Sequence, residues 1–390
     1  MLFIAVAFIE FLAGMEVDIF IPSYPELQQQ FGLSPAKVQL CLSLNFITYC
    51  IGSLYAGPLG DRYGLRRVIL TGLVIFIIGS VACSFAADFS YILFGRILQG
   101  LGMAAPACLG YVVVAGRYPI EKQAAMFGTL NGFTNIAVAI APVIGSYIAL
   151  YAGWRGNFVA LLVLALIAMG FCLFVIPYDS RENKDISLSL KAYKPFLESK
   201  TFKNYLIVLC VYNFTYWVFI GMGSILYVEG FGVSLASFGY YQGAVAGSFA
   251  LMSLLSPKLL SKFGHQKCFK VAIVLITIFA SLIGLVAALD IRNPLLITTL
   301  MCFLTMSTVF PVNILYPLLL DIVPNAKSRA ASVNNVARLA GSAICIESAS
   351  YAYNGTFLQI GLLIFGLSIV GLIFAKSVSY WGNKNSEHVA

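Results

Sequence analysis

Three carboxylates lie within the first apolar stretch of the chain. Residues 2–21 are almost entirely apolar and long enough to cross a bilayer, yet they contain Glu10, Glu16 and Asp18. A charged side chain at the centre of a membrane costs roughly 2.5–3.5 kcal/mol, and a carboxylate escapes much of that cost by taking up a proton. On a helix, Glu10 and Asp18 are about 80° apart around the axis and about 12 Å apart along it, so both can face one interior cavity. We therefore predict that Glu10 and Asp18 carry or sense protons, whereas Glu16 points away from Asp18 and is predicted to be an outward-facing or structural acid.

The composition is that of a polytopic helical membrane protein. Of the 390 residues, 60% are hydrophobic and only 10% are charged, which excludes a soluble protein of this size. The nine cysteines occur singly, so they indicate packing rather than disulfides or a metal site. The net charge of +8 is spread over loops, which argues against nucleic acid as a partner. No cleavable signal peptide is expected, since Pro22 and a polar loop follow the first apolar segment.

Apolar segments of membrane-spanning length predict twelve transmembrane helices in two sets of six. We divide the chain into a first six-helix half (1–177), a charged central loop (178–202), a second six-helix half (203–377) and a tail (378–390). The predicted segments are 2–21, 36–59, 68–87, 90–115, 123–150, 156–177, 203–228, 235–257, 268–289, 294–319, 329–353 and 357–377.

The distribution of lysine and arginine predicts the orientation. If the N-terminus is inside, 19 of the 24 basic residues lie in inner loops or the tail, and only Lys37, Arg155 and Arg292 lie outside. Because cytoplasmic loops of membrane proteins are enriched in these residues, both termini and the central loop are predicted to be cytoplasmic. The remaining two, Arg96 and Arg338, lie within apolar segments.

The two halves share a sequence pattern. Leu59, Arg62, Tyr63 and Gly64 follow the second segment, and a similar set (259, 262, 263 and 264) follows the eighth segment, 200 residues later. Matching positions in equivalent loops are what parallel internal repeats produce.

The turn after the second segment, 57–67, combines glycines with a dense set of charges. Glycine allows a tight turn and a close approach of helices. Asp61 lies among basic residues and is predicted to form charge-assisted hydrogen bonds that lock one arrangement of helices and release another. A basic turn that merely sets topology would explain the arginines, but neither Asp61 nor the glycine spacing. The predicted conformational motif is Gly57, Asp61, Arg62, Gly64 and Arg66, with Arg67 beside them.

This turn resembles motif A of the major facilitator superfamily, G-x-L-x-D-R-x-G-R-[KR], and further motifs are similar to its twelve-helix drug/proton antiporter branch, which includes bicyclomycin-resistance exporters. Leu65 stands where motif A usually has a basic residue. The matching stretches are Asp18-Ile-Phe-Ile-Pro22-x-x-Pro25 in the first helix, Arg96-Ile-Leu-Gln99-Gly100 in the fourth, Gly128-x8-Ala137-x3-Ala141-Pro142-x2-Gly145 in the fifth, and Gly153-Trp154-Arg155-x2-Phe158 after it.

The fifth-helix motif departs from the antiporter pattern at two positions. Ala137 and Ala141 replace glycines, which weakens the indication of antiport. Pro142 and Gly145 remain as a predicted kink and close-packing point, and ordinary helix packing is the alternative interpretation.

Arg96 is predicted to be the charge partner of the proton-carrying acids. A buried arginine requires a partner, and the resemblance implies that helices 1 and 4 lie together beside a central cavity. We therefore expect Arg96 to sense the charge on Asp18 or Glu10. A static ion pair joining the two helices is the alternative.

The resemblance also implies that helices 1, 4, 7 and 10 line the central cavity. Aromatic walls with few polar groups suit amphipathic or cationic solutes, although aromatic packing explains the same residues. For Glu347 in the eleventh segment we predict one of three roles: a second proton site, a group that binds a cationic solute, or a structural acid. The candidate cavity residues are Asn45, Tyr212, Asn213, Tyr216, Trp217 and Asn313.

These features favour a proton-coupled exporter of drugs or other small amphipathic or cationic solutes, located as a multi-pass monomer in a bacterial inner membrane. A proton-coupled uptake symporter on the same fold fits the acids equally well. A membrane-embedded enzyme is disfavoured because neither histidine lies in an apolar segment and no nucleophile–base cluster is evident. A sensor is disfavoured because no added soluble domain is present. No cofactor is expected, since the chain lacks a glycine-rich lysine loop for nucleotides and a proton gradient supplies the energy.

Overall fold

The computed structural model describes residues 1–117, 120–176, 194–322 and 327–385, and every regular element within these ranges is helical. This confirms the prediction of an all-α protein. A short 3-10 turn, Ile21–Ser23, joins the first two helices, and a π-helical turn, Ile225–Gly230, follows the eighth. The helices are α1 (Leu2–Asp18), α2 (Tyr24–Phe31), α3 (Pro35–Tyr63), α4 (Leu65–Ser84), α5 (Phe89–Ala115), α6 (Ile120–Val175), α7 (Lys194–Glu198), α8 (Lys200–Ser224), α9 (Leu235–Phe263), α10 (His265–Ala288), α11 (Pro294–Asp321), α12 (Lys327–Ala352) and α13 (Leu358–Asn385).

The chain forms two compact units. The first unit comprises Met1–Leu188 together with Gly223–Gly247, and the second comprises Ser189–Met222 together with Ser248–Ala390. In the first unit, α5 packs against α3 and α4, and α1 packs against α6. In the second unit, α10 packs against α11 and α13.

Nine helical stretches of the described chain are long and apolar enough to cross a membrane. One of them, Thr129–Val175, has 47 residues and would extend about 70 Å, more than twice the thickness of a bilayer core. It is interrupted at Gly153, where φ is 67°, between two of the predicted segments. The helix α1 contributes a further apolar stretch of 17 residues. The count of twelve spans stays a prediction.

Two predicted connections differ from the described structure. Of the central loop, 178–202, residues 178–193 lie outside the described ranges, and the remainder includes the short helix α7 and the beginning of α8. Of the predicted tail, 378–390, the part up to Asn385 continues α13 and residues 386–390 lie outside the described ranges.

The turn at 57–67 is much tighter than predicted. The helix α3 continues through Tyr63 and α4 begins at Leu65, so Gly64 alone makes the turn, with φ of 87°. Only glycine adopts such a conformation without strain. Gly264 repeats the arrangement between α9 and α10, with φ of 81°.

Close backbone contacts between α1 and α6 fix the position of the carboxylates. A side chain at Gly14 would place its Cβ 2.6 Å from the carbonyl oxygen of Thr134. A Cβ at Gly145 would collide with the carbonyl oxygen of Ile19, just beyond the end of α1. The helices α1 and α6 are therefore in contact at two levels. The acids of α1 lie in the spaces between α1, α6 and the neighbouring helices.

Candidate functional site

Glu10 lies where α1, α5 and α6 meet. Its side chain is only 4% exposed, and the hydroxyl of Thr134 on α6 donates a hydrogen bond of 3.2 Å to Oε2. Tyr111 on α5 also lies beside this carboxyl, and its hydroxyl donates to Oδ1 of Asn131 at 3.1 Å. Oε1 of Glu10 has no hydrogen-bond partner among the described residues. The site thus offers a buried carboxyl with one oxygen still available.

Asp18 is the last residue of α1 and has different neighbours. It is 1% exposed, and the side-chain amide of Gln242 on α9 lies next to its carboxyl. Within the described ranges, neither Oδ1 of Asp18 nor either amide atom of Gln242 completes a hydrogen bond. Glu10 and Asp18 are both buried, as predicted, but the structure surrounds them with separate sets of side chains.

Glu16, not Glu10 or Asp18, is the acid on which the charge of Arg96 acts. Glu16 is 2% exposed, and Asn45 on α3 donates a 2.7 Å hydrogen bond to its Oε1. The same amide nitrogen of Asn45 lies 3.2 Å from the carbonyl oxygen of Arg96, and the Arg96 charge stabilises the Glu16 carboxylate. Glu16 therefore does not face outward, and its contacts fit the other role predicted for it, that of a structural acid. The structure places the Arg96 charge beside Glu16 rather than Glu10 or Asp18, and the sensing role of Arg96 stays a prediction. The helical angle separates Glu16 from Asp18 correctly, but it does not reveal that α3 and α5 lie on the Glu16 side.

Arg96 itself is completely buried on α5 and held by neutral acceptors. Its Nε donates to the carbonyl oxygen of Cys41 at 3.1 Å, and its Nη1 donates to Oε1 of Gln99 at 2.9 Å. Gln99 in turn donates to the hydroxyl of Ser80 on α4 at 2.9 Å. The guanidinium carbon also lies 5.7 Å from the ring centroid of Phe20. Arg96 therefore ties α3, α4 and α5 into one polar network.

In the part of the chain that the structure describes, Asp61 and Arg66 make contacts other than the ion pairs predicted for the turn around Gly64. Asp61 is exposed and forms no ion pair with another described residue, whereas Arg66 donates a 2.6 Å hydrogen bond to the carbonyl oxygen of Leu173 on α6. Arg62 lies 5.4 Å from the ring centroid of its neighbour Tyr63. Asp61 is exposed to solvent, so its charge does not require a protein partner. Arg66 links the end of α6 to this turn.

Gly57 also differs from the expected role in close helix approach. A Cβ at this position would meet no atom within 4 Å. At Gly60, by contrast, a Cβ would lie 3.1 Å from side-chain atoms of Leu109 and Leu65. The tight packing that the glycine spacing predicts therefore occurs at Gly60, one helical turn before Gly64.

The fifth-helix motif packs against α9 as well as α1. A Cβ at Gly239 on α9 would lie 2.9 Å from the carbonyl oxygen of Pro142 and 2.6 Å from the hydroxyl of Ser146. The hydroxyls of Tyr147 and Tyr240 are 2.9 Å apart on the same pair of helices. Pro142 and Gly145 thus lie at a close-packing point, with Gly145 facing α1.

A corner after the Gly153 interruption joins α2 to α6. The indole nitrogen of Trp154 donates to Oε1 of Gln30 at 2.6 Å, and the Arg155 guanidinium lies 4.1 Å from the Trp154 ring while donating to the Ala86 carbonyl at 2.8 Å. Burial raises the pKa of Glu26 on α2 above its ordinary value, and the Trp154 backbone N–H and the Arg155 charge partly oppose this shift. This corner therefore fastens α2 to α6.

The aromatic candidates on α8 make several unrelated contacts in the second unit. Tyr212 is buried, and a Cβ at Gly371 on α13 would lie 2.6 Å from its ring. Asn213 accepts a 3.2 Å hydrogen bond from Ser342 on α12. The rings of Tyr216 and Trp217 meet edge to face at 5.4 Å. For Tyr212, packing explains the residue, and the cavity roles of the other residues on α8 stay predictions.

The other two candidates of the second unit lie on α11 and α12. Asn313 on α11 donates a 2.6 Å hydrogen bond to the hydroxyl of Ser256 on α9. Glu347 on α12 is half-buried, and both its carboxyl oxygens are shielded from solvent. Their roles in solute or proton binding stay predictions.

Three side chains at the site escaped the sequence analysis. Thr134 and Tyr111 beside Glu10, and Gln242 beside Asp18, come from helices far away in sequence. One signal for Gln242 exists in the sequence, because it lies within a repeat of glycines at 239, 243 and 247. Such four-residue spacing of small residues is typical of close helix contacts in membranes.

Comparison with known proteins identifies the family. A sequence profile described as Major Facilitator Superfamily matches residues 6–345. The chain is 25% identical to a bicyclomycin resistance protein homolog of Haemophilus influenzae over 279 residues, which is 70% of each chain. It is also 24% identical to the multidrug resistance protein MdtL of Salmonella typhimurium over 253 residues, or 63% of each chain.

Solved structures show the same fold. The chain superposes on the D-xylose-proton symporter with a TM-score of 0.76 and 14% identity, over 96% of both chains. It superposes on the nucleoside transporter NupG with a TM-score of 0.72 and 14% identity, over 97% of this chain and 99% of NupG. The chain therefore belongs to the major facilitator superfamily, and it is a transporter rather than an enzyme, located as a multi-pass protein in a bacterial inner membrane.

Proposed function

We propose that the protein is a proton-coupled exporter, an antiporter that moves drugs or other small amphipathic or cationic solutes by alternating access. The names of its relatives, which are resistance proteins for bicyclomycin and for multiple drugs, support this solute class. The observation that carries the proton coupling is the burial of Glu10 and Asp18 on α1, each with a carboxyl oxygen that lacks a hydrogen-bond partner among the described residues.

The electrostatics favour these two acids over Glu16 as proton carriers. Glu16 has the Arg96 charge and the Asn45 amide to stabilise its ionised form. The described side chains found to act on Glu10 and Asp18 are neutral, namely Thr134, Tyr111, Cys108 and Gln242. A buried carboxyl without a counter-charge changes its charge more readily by binding or releasing a proton than by forming an ion pair. Each proton that moves inward contributes about 2.3 kcal/mol per 100 mV of membrane potential to drive export.

Glu10 also provides a place for a cationic solute. Its ionised carboxylate, with the Tyr111 ring nearby, offers charge and a π-face to a lipophilic cation. Protonation of Glu10 would remove that attraction, so proton binding and solute binding would compete.

Reconstitution into liposomes tests this proposal. The protein is placed in liposomes with a trapped pH dye and an imposed pH gradient, and lipophilic cations, neutral antibiotics, sugars and amino acids are added in turn. An exporter of this kind moves protons opposite to the solute when a lipophilic cation or an amphipathic antibiotic is added. No proton movement with any member of these classes would contradict it.

A proton-coupled uptake symporter is the second candidate. The similarity in fold to the D-xylose-proton symporter is compatible with it, and the replacement of glycine by Ala137 and Ala141 in the fifth-helix motif removes part of the argument for antiport. The same liposome assay separates the two, because a symporter moves protons and solute in the same direction.

The proposal also covers the topology and the energy source. We propose twelve spans with both termini in the cytoplasm and a monomeric state. A proton gradient supplies the energy, without any cofactor. Protease or thiol-reagent access to tags at the two termini of inside-out vesicles checks the orientation, and a tag protected inside these vesicles would contradict it.

A further inference from the structure

The segment Gly223–Gly247 packs with the first unit although residues 189–222 separate the two in sequence. Its contact with α6 is close enough to require glycine. A Cβ at Gly239 would lie 2.9 Å from the carbonyl oxygen of Pro142, and one at Gly243 would lie 3.1 Å from that of Ala139. The backbone of α9 therefore lies directly against α6, and this close packing fixes where the side chain just before Gly243 points.

That side chain is Gln242, which is buried next to Asp18. Gln242 is 2% exposed and Asp18 is 1% exposed. An amide has one acceptor and one two-hydrogen donor, and the Gln242 amide lies within reach of the Asp18 carboxyl, yet within the described ranges neither Oε1 nor Nε2 makes a hydrogen bond of good geometry. Oδ1 of Asp18 is also buried without such a hydrogen bond among the described residues. Buried polar atoms without partners are rare in native structures, so these atoms call for an explanation.

A neutral carboxylic acid would supply the hydrogen bonds that the Gln242 amide lacks. A protonated Asp18 offers one O–H donor and one carbonyl acceptor, which complement Oε1 and Nε2 of Gln242. An ionised Asp18 has no donor, so Oε1 of Gln242 would stay unpaired and an uncompensated charge would stay buried.

Among the described residues, no positive charge is found to act on Asp18. Arg96 on α5 acts on Glu16, Tyr111 on α5 acts on Glu10, and Arg155 acts on Glu26 of α2. Gln242 is the side chain that acts on Asp18. Other ionisable side chains near this level are tyrosines and one acid, namely Tyr24, Tyr147, Tyr151, Tyr227, Glu229, Tyr240 and Tyr241. The lysines of α9, Lys258 and Lys262, lie four or more helical turns away, near its other end.

We propose that Gln242 is a positioning residue that pairs with the protonated carboxyl of Asp18, so that the packing of Gly223–Gly247 against α1 and α6 depends on that proton. Loss of the proton weakens the contact and allows the segment to move away. This inference rests on the part of the proposed function that gives Asp18 a proton, and it does not require any particular solute or direction of transport.

Infrared spectroscopy tests the pairing directly. Spectra of the protein in liposomes at about pH 5, where an Asp18 buried without a counter-charge is protonated, are compared with those of Asp18→Asn to identify its carboxylic C=O stretch. In Gln242→Leu the band moves to higher wavenumber, because the hydrogen bond to the carbonyl is lost. In the matched control Tyr240→Phe, which removes a hydroxyl two residues away on the same helix, it stays in place.

Two results would overturn the pairing. One is the absence of any band that Asp18→Asn removes, and the other is a band at the same wavenumber in wild type and Gln242→Leu. If Gln242→Leu does not fold, Gln242→Met, which keeps the unbranched shape, takes its place.

Spin labels test the dependence of packing on the proton. Cysteines replace the exposed residues Lys37 and Ser237, both in the first unit, in a chain whose native cysteines have been substituted. Wild type gives a shorter label distance at about pH 5 than at about pH 9, and Asp18→Asn, whose neutral amide also pairs with Gln242, keeps the short distance at both. A distance that is independent of pH in wild type, or that increases in Asp18→Asn as in wild type, refutes the dependence. Because neither experiment uses a solute, a failure of the exporter proposal in the liposome assay is distinguishable from a failure of this inference.

Discussion

Arg96 and Glu16 form the electrostatic centre of the first unit at the scale of single residues. A fully buried guanidinium is costly unless nearby groups compensate its charge, and here one acid and several neutral acceptors do so. Asn45 connects them, because its amide nitrogen lies within hydrogen-bonding distance of both Glu16 and the Arg96 carbonyl. The α1 acids are therefore divided into two groups. Glu16 compensates the charge of Arg96, and among the described residues Glu10 and Asp18 are left without a fixed cation.

This division predicts energetic coupling between Glu16 and Arg96. In a double-mutant cycle of thermal stability in detergent, Glu16→Gln and Arg96→Met should be non-additive by about 0.5–3 kcal/mol, since each single change leaves a buried charge uncompensated. The parallel cycle of Asp18→Asn with Arg96→Met serves as the control and should be additive. Stronger coupling in the Asp18 cycle than in the Glu16 cycle would contradict the assignment.

Asn45 is predicted to be essential for stability, because it satisfies the buried Glu16. Asn45→Leu removes a 2.7 Å hydrogen bond to a carboxylate and should destabilise the protein by about 1–3 kcal/mol, as measured by thermal unfolding in detergent. Ser53→Ala on the same helix is the matched control, since Ser53 is also buried but bonds only to the carbonyl of Cys50. Equal stability of the two variants would argue against the Asn45 link.

Sequence periodicity predicted part of this residue-level arrangement. It predicted that Glu10 and Asp18 are buried, because an acid on a membrane-spanning helix avoids lipid. It left Glu16 between an outward-facing and a structural role, and it did not reveal the polar neighbours Thr134 and Gln242, because helical angles describe one helix and contain no information about which helix lies opposite. The partner of a buried charge is a tertiary property.

At the scale of elements, the contact of α1 with α6 positions the acids. Gly145 faces the carbonyl oxygen of Ile19 so closely that no other residue fits without moving one of the helices. The departure from glycine at Ala137 and Ala141 is tolerated, as both alanines are buried at packed positions of α6. The helix α6 therefore still approaches the end of α1 closely at the level of Asp18.

Gly145→Ala should therefore destabilise the protein by about 1–3 kcal/mol, the usual cost of inserting a methyl group into a packed interface. Gly132→Ala on the same helix provides the control, because a Cβ there meets no atom within 4 Å and alanine favours the helix. Thermal unfolding in detergent compares the two. A Gly145→Ala protein as stable as Gly132→Ala would refute the close contact.

The corner between α2 and α6 predicts a pH dependence of stability. Burial raises the pKa of Glu26, so folding favours its neutral form. Its contribution to stability is present in acid, below the pKa of the unfolded chain, and is lost as the pH rises through the raised pKa of the folded state. Glu26→Gln, which stays neutral, should match wild type in acid and unfold at a higher temperature than wild type at neutral pH. Greater stability of wild type at neutral pH would show that the attraction of Arg155 dominates over burial.

The positions of the helices were largely predictable from the apolar pattern, but their ends were not. Charges and glycines at 57–67 predicted a loop, whereas α3 continues through Pro58 and Asp61 to Tyr63. Interior hydrogen bonds of a helix tolerate exposed polar side chains, so polarity at a membrane surface does not mark the end of a helix. Gly64, which has φ of 87°, is the residue that ends it.

At the scale of the whole molecule, the internal repeat predicted from sequence has a structural counterpart. The helices α3 and α9 both contain 29 residues, begin at positions 35 and 235, and end at a glycine with positive φ. The match to superfamily structures over 96% of the chain confirms the fold, because a transporter of this family is built from such repeats. The fold does not determine the solute, since the same fold serves a D-xylose-proton symporter and a nucleoside transporter.

The most direct test of the account is the effect of Asp18→Asn on solute-driven proton movement in liposomes. Asp290→Asn, at an exposed acid that pairs with Arg292, is the matched control. In the control, a transported lipophilic cation or antibiotic should move protons as in wild type. In Asp18→Asn this proton movement should disappear, and solute accumulation at 100 mV should fall by about fifty-fold for each proton lost. Proton movement of normal size and direction in Asp18→Asn would contradict the central claim that the buried carboxyl of Asp18 couples protons to transport.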